Sequence, residues 1–141
     1  MLKSQGSRQW LLLIVAVFCT TVLFGCKGAN PVSVAETPEQ KAFALYGVYV
    51  VFAEEALTLA QTPSVPASIR LGLVNAEAVA KPSADALKAA YDEAVMIARE
   101  VATGATPEEK YVIAITNLNK WVTDSTPAIT ALQTAVQGAR N

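Results

Sequence analysis

The chain contains no histidine. That absence excludes a Ser-His-Asp or Cys-His catalytic arrangement, because the imidazole that carries the proton is missing. Cysteine is nearly as scarce, with 2 in the whole chain, Cys19 and Cys26. Cys19 lies in an apolar leader, so once the leader is cut away no thiol pair remains. A disulfide framework and a cysteine-based zinc site are then both ruled out. Basic residues are few and scattered, 11 Lys and Arg against 12 Asp and Glu. Nucleic-acid binding needs Lys and Arg gathered on one face, and none are gathered here. These absences describe a protein that is not an enzyme, holds no cofactor or metal, and has no nucleic-acid partner. Its 141 residues make room for one domain. Many alanines set against 7 Gly and 7 Pro favour helix over sheet.

Long apolar runs are also lacking. The longest, Trp10–Phe24 (WLLLIVAVFCTTVLF), falls short of the roughly 18 residues of a spanning helix. Lys3 and Arg8 precede it, and Gly25 and Cys26 follow. A basic start, a short apolar run and a small residue before the cut have the form of a secretory signal. At its end, Leu23-Phe24-Gly25-Cys26 resembles the lipobox of bacterial lipoproteins: an aliphatic residue stands three before the cysteine and a small one immediately before it. The resemblance covers the leader and the cysteine alone. It implies cleavage between Gly25 and Cys26, diacylglycerol on the Cys26 thiol and acylation of the new amine. Two or three acyl chains anchor stably where one does not. Lys27 stands where an aspartate would signal retention in the inner membrane, so the resemblance implies the outer membrane, facing the periplasm. The expected divisions are a signal peptide over 1–25, a lipidated flexible tether over 26–36 (its Gly28–Glu36 part rich in Gly, Asn, Pro and Ser) and a helical domain over 37–141.

Three helices are expected in that domain. Thr37-Pro38-Glu39-Gln40 has the form of a capping box, with proline at the first helical position, and the helix should stop before Thr62-Pro63-Ser64. Thr106-Pro107-Glu108-Glu109 repeats the device, and Gly104 suits the left-handed end of the preceding helix. Between them, Ile69, Leu73, Ala76, Ala80, Ser83, Leu87, Tyr91, Ala94, Ala98 and Val101 keep a three-four spacing through Pro82. The last segment keeps the same spacing through Pro127, from Tyr111, Ile115 and Leu118 to Val136. Each is read as one helix kinked at its proline. The first helix carries two apolar stripes and no charge from Ala42 to Ala53. A helix apolar all round should be covered on most sides, so it is expected between the two longer ones. The expected fold is all-α: an elongated up-down-up three-helix bundle.

Candidate sites are few. Glu54-Glu55, Asp92-Glu93 and Glu108-Glu109 are sequence neighbours, which point about 100° apart on a helix and do not converge on a substrate. Glu77, Lys81, Asp85, Lys88 and Asp92 alternate in sign and read as a solvated face. Trp121, with Asn117 and Asn119 nearby, is read first as a cap on the core edge, Asn119 bonding a neighbouring helix, and second as a recognition patch. Phe43, Tyr46 and Val50, on the second stripe of the first helix, are the other candidate contact residues. Burial is expected for this stripe, since a small bundle needs the area, and a charge at Val50 should then unfold the domain. Residues left open would bind another copy, an envelope protein or lipid.

The expected function is that of a membrane-anchored periplasmic module acting through protein contacts. Lipoproteins of this general form include phage- and prophage-encoded ones that block superinfection by occluding a receptor. The alternative is a carrier of a small apolar ligand or lipid, held in a cavity that Pro82 and Pro127 open and that Tyr46, Tyr49 and Phe52 line.

Overall fold

The computed structural model describes residues 31–141. Among them are three helices and no strand: α1 over Pro38–Gln61, α2 over Ala67–Ala102 and α3 over Glu108–Ala139. The signal peptide, its cleavage site at Gly25 and the acceptor Cys26 lie outside the described residues. The chain enters through a turn at 31–34, and Val32 is partly buried against the core.

The start of α1 follows from its first four residues. The Gln40 N–H donates to Thr37 Oγ1 at 3.2 Å, while Gln40 Oε1 accepts from the Thr37 N–H at 3.3 Å and from the Glu36 N–H at 2.9 Å. Three donors that a helix start would leave unpaired are thus satisfied. The start of α3 departs from this pattern. Its cap is Pro107, with no side-chain cap bond, and helix begins at Glu108. The Thr106 hydroxyl instead donates to Glu100 Oε2 at 2.8 Å, tying the end of α2 to the connection. Glu108 and Glu109 still place carboxylates in the positive first turn. Between α2 and α3 the chain turns at Gly104, φ 74°, where the Gly104 N–H donates to the Val101 carbonyl and the Ala105 N–H to that of Glu100. This paired bonding past a helix end needs a left-handed residue, and glycine adopts it without strain.

Both prolines lie inside continuous helices, Pro82 in α2 and Pro127 in α3. Both are exposed. Because the apolar phase is unbroken, packing on one side carries each helix through its missing hydrogen bond. That packing forms a single core, with Leu73, Ala80, Leu87 and Ala94 from α2 and Leu118, Ile129, Leu132 and Val136 from α3. From α1 it takes Ala42, Leu45, Tyr49 and Ala56. Ser125 is fully buried among them and donates to the Ser83 carbonyl of α2 at 3.0 Å, which satisfies its hydroxyl. Alanines at 80, 84, 90 and 94 let the helices approach closely where they are buried.

The most extensive contact is between α2 and α3, with α1 against both. Polar pairs fix α1 at either end: Tyr111 of α3 donates to the Glu39 carboxylate, and Arg140 donates through Nε and Nη2 to Glu55. The expectation that α1 is the covered centre of the fold is therefore corrected. Its first stripe packs inward, but three helices leave each one a side facing out, and nothing described covers that side of α1.

Candidate interaction surface

Along the open side of α1, Phe43 is 68% exposed, Val51 59% and Leu57 59%. Tyr46, Val50 and Ala53 are half-buried against the core, Tyr46 and Ala53 along the edge with α2. The expected burial of the second stripe is thus overturned at Phe43 and Leu57 and met in part at Val50. A lysine at Val50 could lay its stem against the core and keep its ammonium in water, so the unfolding expected from a buried charge no longer follows. By length and composition the 24-residue α1 is also apolar enough to cross a membrane. Its inner stripe is committed to the core.

Two grooves run between α1 and α2. The larger has a volume of about 370 Å³ and is lined by Ala53, Glu54, Ala56, Leu57 and Ala60 of α1 and by Leu73, Val74 and Glu77 of α2. The smaller, about 240 Å³, is lined by Ala42, Phe43, Tyr46, Lys88, Tyr91 and Asp92. Phe43 leans on Tyr91 there, with ring centroids 6.2 Å apart. Neither Pro82 nor Pro127 lines either of these two grooves, so neither groove is the expected proline-opened cavity. Of the expected lining residues, Tyr46 lines the smaller groove, whereas Tyr49 is in the core and Phe52 is partly buried against it.

Between the grooves the α1–α2 contact is pinned by one polar bond. Tyr49 is 7% exposed, and its hydroxyl donates to Glu77 Oε1 at 3.1 Å. Burial, reinforced by the bonded Glu77 carboxylate, raises the Tyr49 pKa to about 12. Glu77 is therefore not part of a uniformly solvated face. The rest of that face is as expected, with Lys81 paired to Asp85 and Lys88 to Asp92 one turn on. At the N-terminal end, burial of Glu39 is outweighed by hydrogen bonds from Tyr111, the backbone and Thr37, which lower its pKa; the bond to Glu39 in turn raises that of Tyr111.

Trp121 is partly buried against the core, as a cap on its edge, and Lys120 Nζ lies 5.3 Å from its ring centroid, a cation–π distance. Asn119 is exposed, and its carbonyl accepts from the Thr123 hydroxyl within α3; no side-chain bond to a neighbouring helix is found among the described residues. Trp121 is on α3, whereas Phe43 and Tyr46 lie at the α1–α2 edge and Val50 is half-buried on α1, and the described contacts do not gather all four into one patch. Val74, which flanks the larger groove at 52% exposure, was not legible as a site residue, because it falls off the Leu73 stripe. Among the described residues no three His, Cys, Asp or Glu side chains gather as a metal-holding group. Compared with known proteins, the chain matches no family model, no curated protein and no solved structure.

Proposed function

We propose that this chain is a lipid-anchored periplasmic lipoprotein whose helical domain acts as a protein-interaction module through the open side of α1. The domain is an elongated up-down-up three-helix bundle, tethered through Cys26 to the outer membrane. One observation carries the reading: α1 is uncharged from Ala42 to Ala53 and leaves Phe43 and Val51 exposed there, with Leu57 just beyond, whereas exposed apolar residues of the other helices such as Val79, Met96, Val112 and Ile113 lie in shorter uncharged stretches. Occlusion of a receptor, as in superinfection-excluding lipoproteins of phage or prophage origin, is one activity open to such a module.

A photo-crosslinking residue at Val51, activated in intact cells, should trap a protein. Labelling of phospholipid alone, or of nothing, would overturn the reading. The groove of about 370 Å³ beside Leu57 favours one alternative, the carriage of a small apolar ligand or lipid. Native mass spectrometry of the purified chain separates the two, since a carrier retains a bound apolar molecule.

A further inference from the structure

We infer that the open side of α1 pairs with the same side of a second copy of this chain, the two α1 helices running antiparallel about a two-fold axis near Gly47 and Val48. This rests on the reading of α1 as a contact surface, and not on lipid attachment. Three observations favour a second copy. The first is charge. The uncharged stretch is bounded by Lys41 at its N-terminal end and by the exposed Glu54 at its C-terminal end, while Glu39 and Glu55 beside them are held by Tyr111 and Arg140. Opposite signs at opposite ends make the face complementary to itself when one copy is reversed, and a parallel pair would set like against like. About this axis Lys41 lies level with the second copy's Glu54.

The second observation is shape. Phe43 stands out near one end of the stretch, and the larger groove opens at Ala53 near the other. The reversed register that matches the charges also brings Phe43 level with the second copy's Ala53, at the mouth of its groove. A projecting ring and an apolar recess on one face are what a self-complementary contact requires. The third is access. A Cβ placed on Gly47 would meet nothing within 4 Å, so the backbone at the proposed axis is open to close approach. A bilayer fits less well. An anionic headgroup surface wants basic residues at the rim, and at the rim of α1 Lys41 stands against Glu39 and Glu54 while Arg140 is taken up by Glu55. On α2, Lys81 and Lys88 are paired with Asp85 and Asp92, and Glu77 at the larger groove accepts from the Tyr49 hydroxyl.

The register can be tested by disulfide trapping in the full chain, extracted from membranes in mild detergent and oxidised, with the wild-type chain as background. Gly47→Cys adds a side chain in open space. Near the axis its two copies are offset by about 1.5–3 Å along the helices, within the roughly 4.4–6.8 Å Cα separation of a disulfide when the helices touch. Most of this variant should run as a covalent dimer, several-fold above wild type. Ala44→Cys and Val51→Cys, each alone, are offset from their own copies by about 10 Å and should stay near background. A chain carrying both should crosslink, because residue 44 meets residue 51 of the other copy. Gly47→Cys at background, with or without co-purified phospholipid, overturns the proposal. So does crosslinking of the single Ala44→Cys or Val51→Cys variant as efficient as that of Gly47→Cys, which would indicate a parallel or unspecific contact. The intact mass of the same samples separates this outcome from the anchoring proposal: an uncut, unlipidated chain that still traps through residue 47 refutes the anchor and leaves the dimer standing.

Discussion

Raising the pH tests how α1 is held to α2. Tyr49 ionises near pH 10 in the unfolded chain and at about 12 in the folded one. The folded state therefore holds the phenolic proton more tightly, and the stabilisation that this bond and its burial confer is whole below pH 10. It is lost progressively as the pH rises from 10 through 12. At 1.36 kcal/mol per unit, the loss is about 1.4 kcal/mol at pH 11 and about 2–3 kcal/mol above pH 12. Tyr49→Phe isolates the effect from Tyr46, Tyr91 and Tyr111. At pH 8 it removes a bond to a carboxylate and should cost about 1–2 kcal/mol. Urea unfolding followed by circular dichroism at pH 8 and pH 11 should show that cost shrinking by about 1.4 kcal/mol at the higher pH, since the variant has no proton to lose there. A difference between wild type and variant that stays constant from pH 8 to 11 would refute the argument. So would absorbance at 295 nm that shows all four tyrosines ionising together near pH 10.

Three further outcomes follow from the same packing. Pro82→Ala restores an N–H inside α2; relief of a proline that costs about 3 kcal/mol, less about 0.4–1 kcal/mol for a freer unfolded chain, should raise stability by about 2–2.6 kcal/mol in urea melts, whereas a clear loss would mean that the ring itself is needed by the packing. Leu118→Ala empties a site that is 0% exposed and should cost about 2–5 kcal/mol in the same assay; a loss under about 1 kcal/mol would mean the helices do not share this core. Cys26→Ser should leave an uncut, unacylated precursor, and intact-mass measurement of a wild-type chain that retains Met1–Gly25 would refute the lipoprotein assignment.

Spacing alone made α2 and α3 legible. Positions such as Leu73, Ala80, Leu87 and Ala94, or Leu118, Ser125, Ile129 and Leu132, recur at seven residues or at the three and four that make up seven, and they are buried. The prolines were legible for the same reason: an unbroken phase on either side says that one face continues, whatever happens to a single backbone bond. The start at Thr37 and the turn at Gly104 were readable from local chemistry. The Thr106 cap was not, because its hydroxyl has a competing acceptor in Glu100, six residues upstream in the last turn of α2 and outside any cap motif. The setting of α1 was hidden by its composition. An all-apolar helix reads as covered, but periodicity cannot count the neighbours available, and two partners cover only part of a helix. Glu77 shows the same limit. In sequence it is one member of a charged series, and its bond to Tyr49 depends on which side of α2 meets α1.

The central claim is that the open side of α1 is a contact surface on an already complete fold. Val51→Lys in the full chain tests it most directly, with urea stability and molecular mass by light scattering measured on one preparation. Val51 is 59% exposed, so its substitution should change stability by no more than about 0.5 kcal/mol, while the mass falls from that of the wild-type assembly to that of a single chain. A loss of several kcal/mol, or an unchanged mass on an intact fold, would contradict the account.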